Sequence, residues 1–517
     1  MLSISASGIL RINKVSHWPQ TSRKEEKRLE RKKLKVLFLC SEAAPYAKTG
    51  GLGDVCEALP RELNRLGVDA RLVLPFYCSV KRGMVEHIIW SGEITMGHYT
   101  LKVNVYESRR AEGLKVYLVD REDMFKRPNL YAGQLGDYYD NFERFVFFCH
   151  VSVSLCALPE VSPTILHCND WQTGLVPALL RSIYSRQQSF PKIKTVFTIH
   201  NIGYQGIFPK EKFYLTGLDE KDFFHPEALE YWGKISLLKA GIVFSDAVTT
   251  VSPRYAQELQ SAEYGMGMEG ILKAHSHKLR GILNGVDEDS WDPSRDKYLC
   301  TTFHLGKIEG KAACKKALIE ELGLKGAKEE APILCMVTRL DKQKGLDLLL
   351  QIVESLLKEQ VYLVILASGD EALERELENA ASLFPKKMVF ISGFDEAKAH
   401  RIIGGADILL MPSRYEPCGL TQMYALKYGT IPVVRATGGL DDTVQEFDPQ
   451  TGKGNGFKFS SYDPAAFLKA IKKALSIYYS ERVLWQRIIK NAMKSDFSWR
   501  RSAEQYIELY ESILAES

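Results

Sequence analysis

The sequence predicts an α/β protein built from two doubly wound parallel-sheet domains that face each other across a deep cleft. Its 517 residues exceed what a single hydrophobic core usually supports, which favours two domains of roughly 200–250 residues each. Short apolar runs alternate with amphipathic helices from residue 35 onwards, and the same alternation begins again near residue 333. Such alternation is typical of parallel sheets that are covered by helices on both faces.

The first series opens with an apolar strand at 36–39, a Gly-rich turn, and an amphipathic helix that carries Val55, Leu59, Leu63 and Leu66. Further strands are predicted at 70–74, 116–119, 165–166, 195–199, 247–251 and 279–283. The first domain is therefore predicted to span residues 34–283, after a tail of residues 1–33.

The second series has predicted strands at 333–338, 362–367, 388–391, 408–411 and 431–434, and a predicted helix at 346–357. Turn-forming residues at 284–287 mark the boundary, so the second domain is predicted to span residues 284–500. A final helix at 501–514, within the terminal segment 501–517, has no strand after it, and we expect it to pack back onto the first domain. Ligands of open α/β sheets collect at the carboxyl ends of the strands, which makes the cleft the predicted site.

Composition argues against several classes of protein. The 68 Lys and Arg residues exceed the 64 Asp and Glu residues by only four, too few to indicate a nucleic-acid partner. The ten cysteines show no CxxC spacing, and we expect them to be reduced thiols. No apolar run approaches the roughly 18–20 residues that span a bilayer, so no membrane partner is expected.

The first 33 residues differ in kind from the rest of the chain. No acidic residue precedes Glu25, whereas Arg11, Lys14, Arg23 and Lys24 are basic, a composition loosely like that of an organelle transit peptide. Residues 24–33 nevertheless mix Glu with Lys and Arg, which favours a solvated tail. We therefore expect a cytoplasmic protein, with a plastid as the alternative location.

A Gly-rich loop at 48–54 lies between the first predicted strand and the first helix. Glycines such as Gly50 and Gly51 let backbone N–H groups approach a phosphate, and the helix N-terminus adds partial positive charge. The spacing is neither GxGxxG nor a P-loop, so a simple tight turn is the alternative. Lys48 favours the phosphate-binding interpretation, because a cation at a strand end has no packing reason to be there; Asp54 closes the loop.

A second loop, at 337–345, follows the first strand of the second domain. Arg339 and Lys344 are predicted to project into the cleft, where two cations can neutralise a diphosphate. Two fixed cations would do the work of a divalent metal, and we expect no metal and no cofactor. An ordinary solvated loop is the alternative.

A third loop, at 412–421, lies between a buried strand and the predicted helix at 420–427. The carboxylate of Glu416 can accept hydrogen bonds from sugar hydroxyls beside the N–H groups that open this helix, although it could also simply cap the helix. The Cys418 thiol has no His or Asn partner nearby in the sequence, which disfavours a nucleophilic role.

Three smaller polar loops also lie at strand ends or turns. His200 and Asn201 close one strand, Asp170 closes another, and residues 437–440 form a second Gly-rich turn. A lone strand-end His is more often structural than catalytic, but convergence of these loops favours a functional site. The sequence has no HExxH, no paired metal-ligand spacing and no GxSxG motif, which disfavours zinc and serine hydrolases.

These motifs together resemble those of bacterial glycogen synthases and plant starch synthases. The matching segments are, in order, KTGGLGDV, HCNDWQTGL, TIHNIGYQG, NGVD, VTRLDKQKG and SRYEPCGLTQMYALKYG, and the resemblance covers residues 35–517. It implies a GT-B fold of two Rossmann-like domains, ADP-glucose as donor, the non-reducing end of an α-1,4-glucan as acceptor, and retention of configuration. Oligomeric state is left open.

The resemblance also implies roles for individual residues. Those expected to act on the reacting sugar or the diphosphate are His200, Asp170, Arg339, Lys344 and Glu416. Those expected to bind substrate are Glu42, Lys48, Gly50, Gly51, Asp54, Asn201, Asn284, Cys418, Gly419, Leu420, Thr421 and Tyr424. Two positions depart from related patterns: Tyr424 stands where wider retaining transferases have a second Glu, and Gln172 stands where many relatives have His.

Three alternatives remain open at this stage. The chain could use another donor, such as UDP-glucose, or it could be a catalytically silent glucan-binding homologue. Alternating strands alone would also fit a dinucleotide oxidoreductase, which the absence of GxGxxG after either opening strand disfavours.

Overall fold

A computed structural model describes residues 34–109, 113–134, 136–184, 190–324 and 328–516. The predicted tail at 1–33 lies outside these residues. No helix in this part of the chain is long and apolar enough to cross a membrane.

The first fourteen strands belong to the N-terminal half of the chain. They are β1 (Lys35–Leu39), β2 (Asp69–Pro75), β3 (His87–Met96), β4 (Tyr99–Arg109), β5 (Lys115–Asp120), β6 (Ala132–Gly133), β7 (Gly136–Asp137), β8 (Ile165–Asn169), β9 (Lys194–Ile199), β10 (Ile207–Pro209), β11 (Glu230–Tyr231), β12 (Lys234–Ser236), β13 (Ala247–Thr250) and β14 (Leu279–Gly281). Nine of them form one sheet in the order β14-β13-β9-β8-β1-β2-β5-β4-β3. All neighbours in this sheet pair in parallel except β5–β4 and β4–β3.

The order of this sheet reverses beside its first strand. From β1 the chain builds outward through β2 and β5, and it then returns to place β8, β9, β13 and β14 on the other side. All five residues of β8 are buried, as expected for a central strand covered on both faces. The carboxyl ends of β1 and β8 therefore form a topological switch point, where ligands of such sheets bind.

The C-terminal half forms a second, fully parallel sheet. Its strands are β15 (Ile333–Leu340), β16 (Tyr362–Gly369), β17 (Met388–Ser392), β18 (Ile408–Met411), β19 (Ile431–Arg435) and β20 (Phe457–Phe459), in the order β17-β16-β15-β18-β19-β20. Its switch point lies between β15 and β18. The sequence-predicted α/β class with two doubly wound sheets is thus confirmed.

Helices cover both faces of the two sheets. The α-helices are Gly51–Arg65, Glu122–Phe125, Asn141–Leu155, Val176–Leu179, Glu220–Phe223, Leu237–Phe244, Pro253–Glu258, Glu269–Ala274, Glu309–Glu321, Leu346–Leu357, Glu371–Leu383, Glu396–Gly405, Thr421–Lys427, Gly438–Thr443, Pro464–Ser480, Arg482–Met493 and Trp499–Ala515. Segments of 3₁₀ helix are Arg82–Met84, Trp171–Thr173, Lys210–Thr216, Ser276–Lys278 and Lys342–Lys344, and Leu180–Tyr184 is a π-helix.

The last helix, Trp499–Ala515, lies against the first sheet. Its apolar face, which includes Tyr506 and Tyr510, shares a core cluster with β1 and with helix Gly51–Arg65. The Tyr510 hydroxyl lies 2.7 Å from Nδ1 of His167, whose Nε2 lies 2.6 Å from the Thr198 hydroxyl. Both ring nitrogens of His167 are therefore engaged inside the core, which gives this residue a structural role.

Candidate active site

A cavity of about 530 Å³ lies between the two sheets. It lies at the carboxyl ends of β1, β8 and β9 from the first sheet and of β15 and β18 from the second, so both switch points open onto it. The sequence-predicted site residues that line it are Glu42, Gly50, Gly51, Asp170, His200, Asn201, Asn284, Arg339, Lys344, Glu416, Cys418, Gly419 and Leu420. Residues more than 370 positions apart in the sequence thus meet at one place.

Glu42 organises the Gly-rich loop that follows β1. Its carboxylate accepts hydrogen bonds from the Thr49 N–H and hydroxyl (both 2.7 Å), the Gly50 N–H (3.1 Å) and the Tyr131 hydroxyl (2.8 Å). Four donors on one buried carboxylate fix the loop in place. Glu42 therefore positions the loop through hydrogen bonds to the backbone of Thr49 and Gly50.

The glycines themselves leave open space on the cavity side. A β-carbon added at Gly50 would meet no atom within 4 Å, and one at Gly51 would meet only Leu420 Cδ1, at 3.9 Å. Packing within the protein therefore does not require glycine at either position. No side chain caps helix Gly51–Arg65 at its N-terminus, so an uncapped helix end and an open cradle face the cavity together, which is the arrangement of an anion site.

Lys48 and Asp54 lie beside the cavity and are not part of its lining. The Lys48 ammonium is 2.7 Å from Asp54 Oδ1, and both side chains are partly exposed. Burial raises the pKa of the Asp54 carboxyl, and the Lys48 charge partly offsets this. The lysine stem also packs on Gly53, where an added β-carbon would lie 3.0 Å from Lys48 Cγ.

Asp170 lines the cavity in a strained conformation. Its φ of 55° and ψ of −178° are rarely adopted by a residue other than glycine. Its carboxylate accepts hydrogen bonds from the His200 N–H (2.8 Å) and from the Asn201 backbone. Burial raises the pKa of this carboxyl to about 7, although the two backbone donors oppose the shift.

His200 is held as a neutral imidazole with a defined tautomer. Burial lowers its pKa to about 3, and its Nε2 lies 2.9 Å from Asn169 Oδ1. The Asn169 amide nitrogen already donates to the Leu39 carbonyl, so Oδ1 must accept and Nε2 must carry the proton. Nδ1 of His200 is therefore a hydrogen-bond acceptor.

Two buried amide oxygens in the cavity wall lack a hydrogen-bond partner among the described residues. They are Oδ1 of Asn284 and Oε1 of Gln172. Burial of an unpaired carbonyl oxygen is unfavourable by about 1–3 kcal/mol, and a ligand that donates hydrogen bonds would remove this penalty. Asn201 differs, because its side chain already bonds the Gly203 N–H and the Tyr415 hydroxyl.

The second domain contributes two cationic side chains, which differ in their ion pairing. The Lys344 ammonium lies 2.7 and 3.0 Å from the two carboxylate oxygens of Glu416, and the Ser413 hydroxyl donates to the same carboxylate (3.0 Å). Arg339, by contrast, is exposed, and within the described chain its guanidinium makes no ion pair. Lys344 and Glu416 thus satisfy each other, whereas Arg339 offers a positive charge to a ligand.

The loop after β18 contributes mainly backbone to the cavity wall. Burial raises the pKa of the Cys418 thiol to about 12, which keeps it protonated and unreactive. Gly419 has a φ of +70° and no room for a β-carbon beside Gln422, so glycine is required there. The cavity lining ends at Leu420, and Thr421 is the first residue of the following helix.

Tyr424 packs away from the cavity. Its ring stacks on Trp291 with centroids 4.1 Å apart, and the Trp291 ring also stacks on His400, with centroids 3.6 Å apart. This aromatic stack joins the segment between the domains to two helices of the second domain.

Within the described residues, no group of three or more His, Cys, Asp or Glu side chains is arranged to hold a metal ion.

Sequence reasoning missed several residues of the site. Tyr131 contributes a hydroxyl to Glu42, and Tyr204 and Gln343 also line the cavity. Across the cleft, Glu258 of the first domain accepts hydrogen bonds from the Gly438 N–H (3.0 and 3.1 Å). Tyr131 lies in a loop without helical or strand periodicity, where a cluster of Tyr, Asn and Gly is the one signal that could have indicated it.

Two family models match this chain. One, described as the starch synthase catalytic domain, matches residues 35–274, and the other, described as glycosyl transferases group 1, matches residues 320–495. Among relatives, a glycogen synthase of Syntrophotalea carbinolica is 44% identical over 92% of this chain and 98% of its own length. A glycogen synthase of Thermotoga maritima is 42% identical over 93% of this chain and 99% of its own length.

The chain belongs to the glycogen and starch synthase family. Among solved structures, the chain is similar to the catalytic domain of Arabidopsis thaliana starch synthase IV, described as bound to ADP and acarbose. The TM-score is 0.85 and the sequence identity is 34%, and the match covers 93% of this chain and 99% of that one. This neighbour confirms the GT-B fold. A sucrose-phosphate synthase from Thermosynechococcus elongatus, with a TM-score of 0.58 and 18% identity over 94% of this chain, shares the fold alone. Like its family, the protein is a glucosyltransferase.

Proposed function

We propose that this glycogen or starch synthase transfers glucose from ADP-glucose to the non-reducing end of an α-1,4-glucan with retention of configuration. One observation carries the proposal: a free cation, an open Gly cradle at a helix N-terminus and unpaired buried acceptors line the same cavity. The first two suit a diphosphate and the third suits sugar hydroxyls. The starch synthase IV neighbour, described as bound to ADP and acarbose, supports the same assignment.

The diphosphate would lie between the two domains. Arg339 would contact it from the second domain, and the backbone N–H of Gly51, which opens the helix, would contact it from the first. Lys344 would supply the second cation by moving from Glu416 towards the phosphates. These groups provide positive charge without a bound metal, and the proposed reaction uses no cofactor.

The glucosyl unit would lie beside Glu416, whose carboxylate now bonds Lys344 and would accept the sugar hydroxyls in place of the ammonium. Nδ1 of His200 is an acceptor for another hydroxyl, and Oδ1 of Asn284 would gain the partner that it lacks. Each of these groups binds a neutral sugar by accepting hydrogen bonds.

The reaction would follow from charge and position. As the bond from the anomeric carbon to the diphosphate oxygen breaks, negative charge grows on the leaving phosphate and positive character grows on the sugar. Arg339 and Lys344 stabilise the first of these charges. The acceptor hydroxyl attacks from the same face and passes its proton to the departing phosphate, so no protein nucleophile is needed. Asp170 would orient the acceptor hydroxyl, and closure of the cleft would exclude water.

The natural substrates would be ADP-glucose and a glucan, with no nucleic-acid or membrane partner. The bacterial origin of the glycogen synthase relatives supports a cytoplasmic location. A plastid location would require residues 1–33 to act as a transit peptide.

A coupled assay of nucleoside diphosphate release tests the proposal. The purified protein is given ADP-glucose or UDP-glucose, each with and without glycogen. We expect ADP release that depends on glycogen and exceeds UDP release at least ten-fold. Preferential UDP release would overturn the donor assignment. Binding of glycogen without release of either nucleotide would instead identify a catalytically silent homologue.

The products of the same reaction test the stereochemistry. Glycogen labelled with radioactive glucose should release all of the label on digestion with β-amylase, which cleaves only α-1,4 linkages from the non-reducing end. Label that resists this digestion would refute the proposed linkage.

A further inference from the structure

A β-hairpin of the first domain carries an aromatic residue where the backbone disfavours it. Strands β11 and β12 pair Tyr231 with Lys234, so Trp232 and Gly233 form a two-residue turn. Their φ values of 51° and 75° are both left-handed, as in a type I′ turn, for which Asn-Gly is the preferred pair. A bulky residue is a rare exception in this conformation, so local structure does not explain Trp232.

Packing does not explain this residue either. Trp232 is 85% exposed, so it gains little from burial to offset the unfavourable left-handed backbone. Met266, on a neighbouring loop, repeats the pattern: its φ is 49° and it is 40% exposed. Strained residues of this kind concentrate at binding sites.

These two residues are connected to the cavity through neighbouring residues. The Gln205 amide donates to the Met266 carbonyl (2.9 Å), and a β-carbon added at Gly203 would lie 3.7 Å from Met266 Sδ. The Tyr231 hydroxyl lies against Gly267, beside which no β-carbon would fit. Tyr204, which follows Gly203 in the chain, is more than half exposed and lines the cavity.

Tyr204, Met266, Tyr231 and Trp232 therefore form a continuous apolar ridge that leads outward from the cavity. All four side chains are uncharged, as is an α-glucan. The C–H faces of glucopyranose rings are apolar and stack on aromatic rings, whereas their hydroxyls can remain in water. A contiguous exposed apolar patch at the mouth of a site indicates a binding surface.

We propose that this ridge binds the acceptor glucan beyond the reacting unit, through stacking of successive glucose rings on Tyr204 and Trp232. The inference rests on the proposed function, because it takes the glucan as acceptor. The proposal adds a surface outside the cavity that a long polysaccharide contacts and a short oligosaccharide does not. The ridge would raise the local concentration of chain ends without taking part in the chemistry.

The substitution Trp232→Asn tests the ridge, because Asn suits the left-handed turn and cannot stack. Thermal unfolding should occur at the same temperature as in the wild type or at a higher one. Native electrophoresis in gels that contain glycogen, without any donor, should show about ten-fold weaker binding. In turnover, KM for glycogen should rise about ten-fold at nearly constant kcat, and kcat/KM for glycogen should fall much more than kcat/KM for maltotriose.

Two further variants serve as controls for Trp232→Asn. Trp232→Tyr keeps a stacking ring and should retain most of the glycogen affinity. Tyr479→Ala removes a partly exposed aromatic ring from the second domain and should leave glycogen binding and turnover unchanged. Wild-type mobility of Trp232→Asn in glycogen gels, or equal losses with glycogen and maltotriose, would overturn the proposal. Because the gel contains no donor, it reports on the ridge even if the ADP-glucose assignment fails.

Discussion

The buried ion pair between Lys344 and Glu416 gives the sharpest test of the site. The ammonium lies 2.7 and 3.0 Å from the two carboxylate oxygens, and the side chains are only 14% and 7% exposed. At an effective dielectric constant of about 20, charges about 3 Å apart attract each other by ~5–6 kcal/mol. Desolvation of both groups offsets most of this attraction.

Removal of one partner leaves the desolvation cost without the attraction. We expect Lys344→Ala to lower the free energy of unfolding by ~3 kcal/mol, because the Glu416 carboxylate then stays buried with only the Ser413 hydroxyl as a side-chain partner. Adding Glu416→Gln should restore ~2 kcal/mol, because the second change removes the unpaired charge. Urea denaturation of the wild type, both single variants and the double variant measures these values.

Turnover should respond differently from stability in the same four proteins. We expect Lys344→Ala to reduce kcat/KM for the sugar nucleotide by ~100-fold or more, because it removes a charge that stabilises the leaving diphosphate. The double variant should regain stability and remain inactive, because restoring neutrality does not restore the cation. This separation of stability from activity distinguishes a catalytic ion pair from a merely structural one.

A surface ion pair supplies the control. Arg401 makes two 2.8 Å contacts with Glu321, and both side chains are about one-third exposed. Arg401→Ala should change the free energy of unfolding by less than ~1 kcal/mol and leave turnover unaltered. The reasoning is refuted if Lys344→Ala is as stable as Arg401→Ala, or if the double variant recovers turnover.

The remaining predictions concern three other residues of the cavity. Arg339→Ala should weaken ADP binding ~10–100-fold, measured by calorimetry, without changing the unfolding midpoint. Unaltered ADP affinity would exclude the diphosphate contact. Arg375→Ala, at an exposed helix position, is the control. Gly51→Ala should fold normally, because the added β-carbon meets only Leu420 Cδ1, 3.9 Å away. KM for the donor should nevertheless rise at least ten-fold. An unchanged KM would show that the Gly-rich loop does not bind the donor. Asp170 has a folded-state pKa raised to about 7, so its contribution to stability is present at low pH and is lost as pH rises through 7. The unfolding free energy of Asp170→Asn relative to wild type should therefore rise by ~2–4 kcal/mol between pH 5 and pH 8, and a constant difference would contradict the raised pKa.

Much of the fold followed from the sequence because buried parallel strands are short apolar runs. The predicted strands at 36–39, 408–411 and 431–434 each lie within a strand of the structure. Strands β3 and β4 were missed, because this antiparallel edge pair is partly exposed and its apolar residues are interrupted by polar ones. Helix Asn141–Leu155 was also missed, since it is buried on nearly all sides and shows little amphipathic periodicity.

The sequence predicted where the site lies better than it predicted which side chains in the site bond to each other. Strand-end loops converge because parallel strands share one carboxyl edge, and this rule brings Arg339 and Glu416 together in the second domain. Asp170 meets them because the carboxyl edges of both sheets face the same cavity. Pairing within the cavity depends on side-chain distances that no spacing rule supplies. A lysine in a Gly-rich loop indicates a phosphate contact, yet the Lys48 ammonium lies on Asp54.

The ion pair also bears on how the proposed donor would be recognised. While Lys344 contacts both oxygens of Glu416, neither group is fully available to a ligand. ADP alone would draw the ammonium towards its phosphates and leave a buried carboxylate poorly satisfied. An intact sugar nucleotide would present phosphate to Lys344 and hydroxyls to Glu416 at the same time, so it would replace what each group loses. The pair therefore favours the intact donor over ADP, and release of ADP after transfer would be assisted as Lys344 and Glu416 close on each other again.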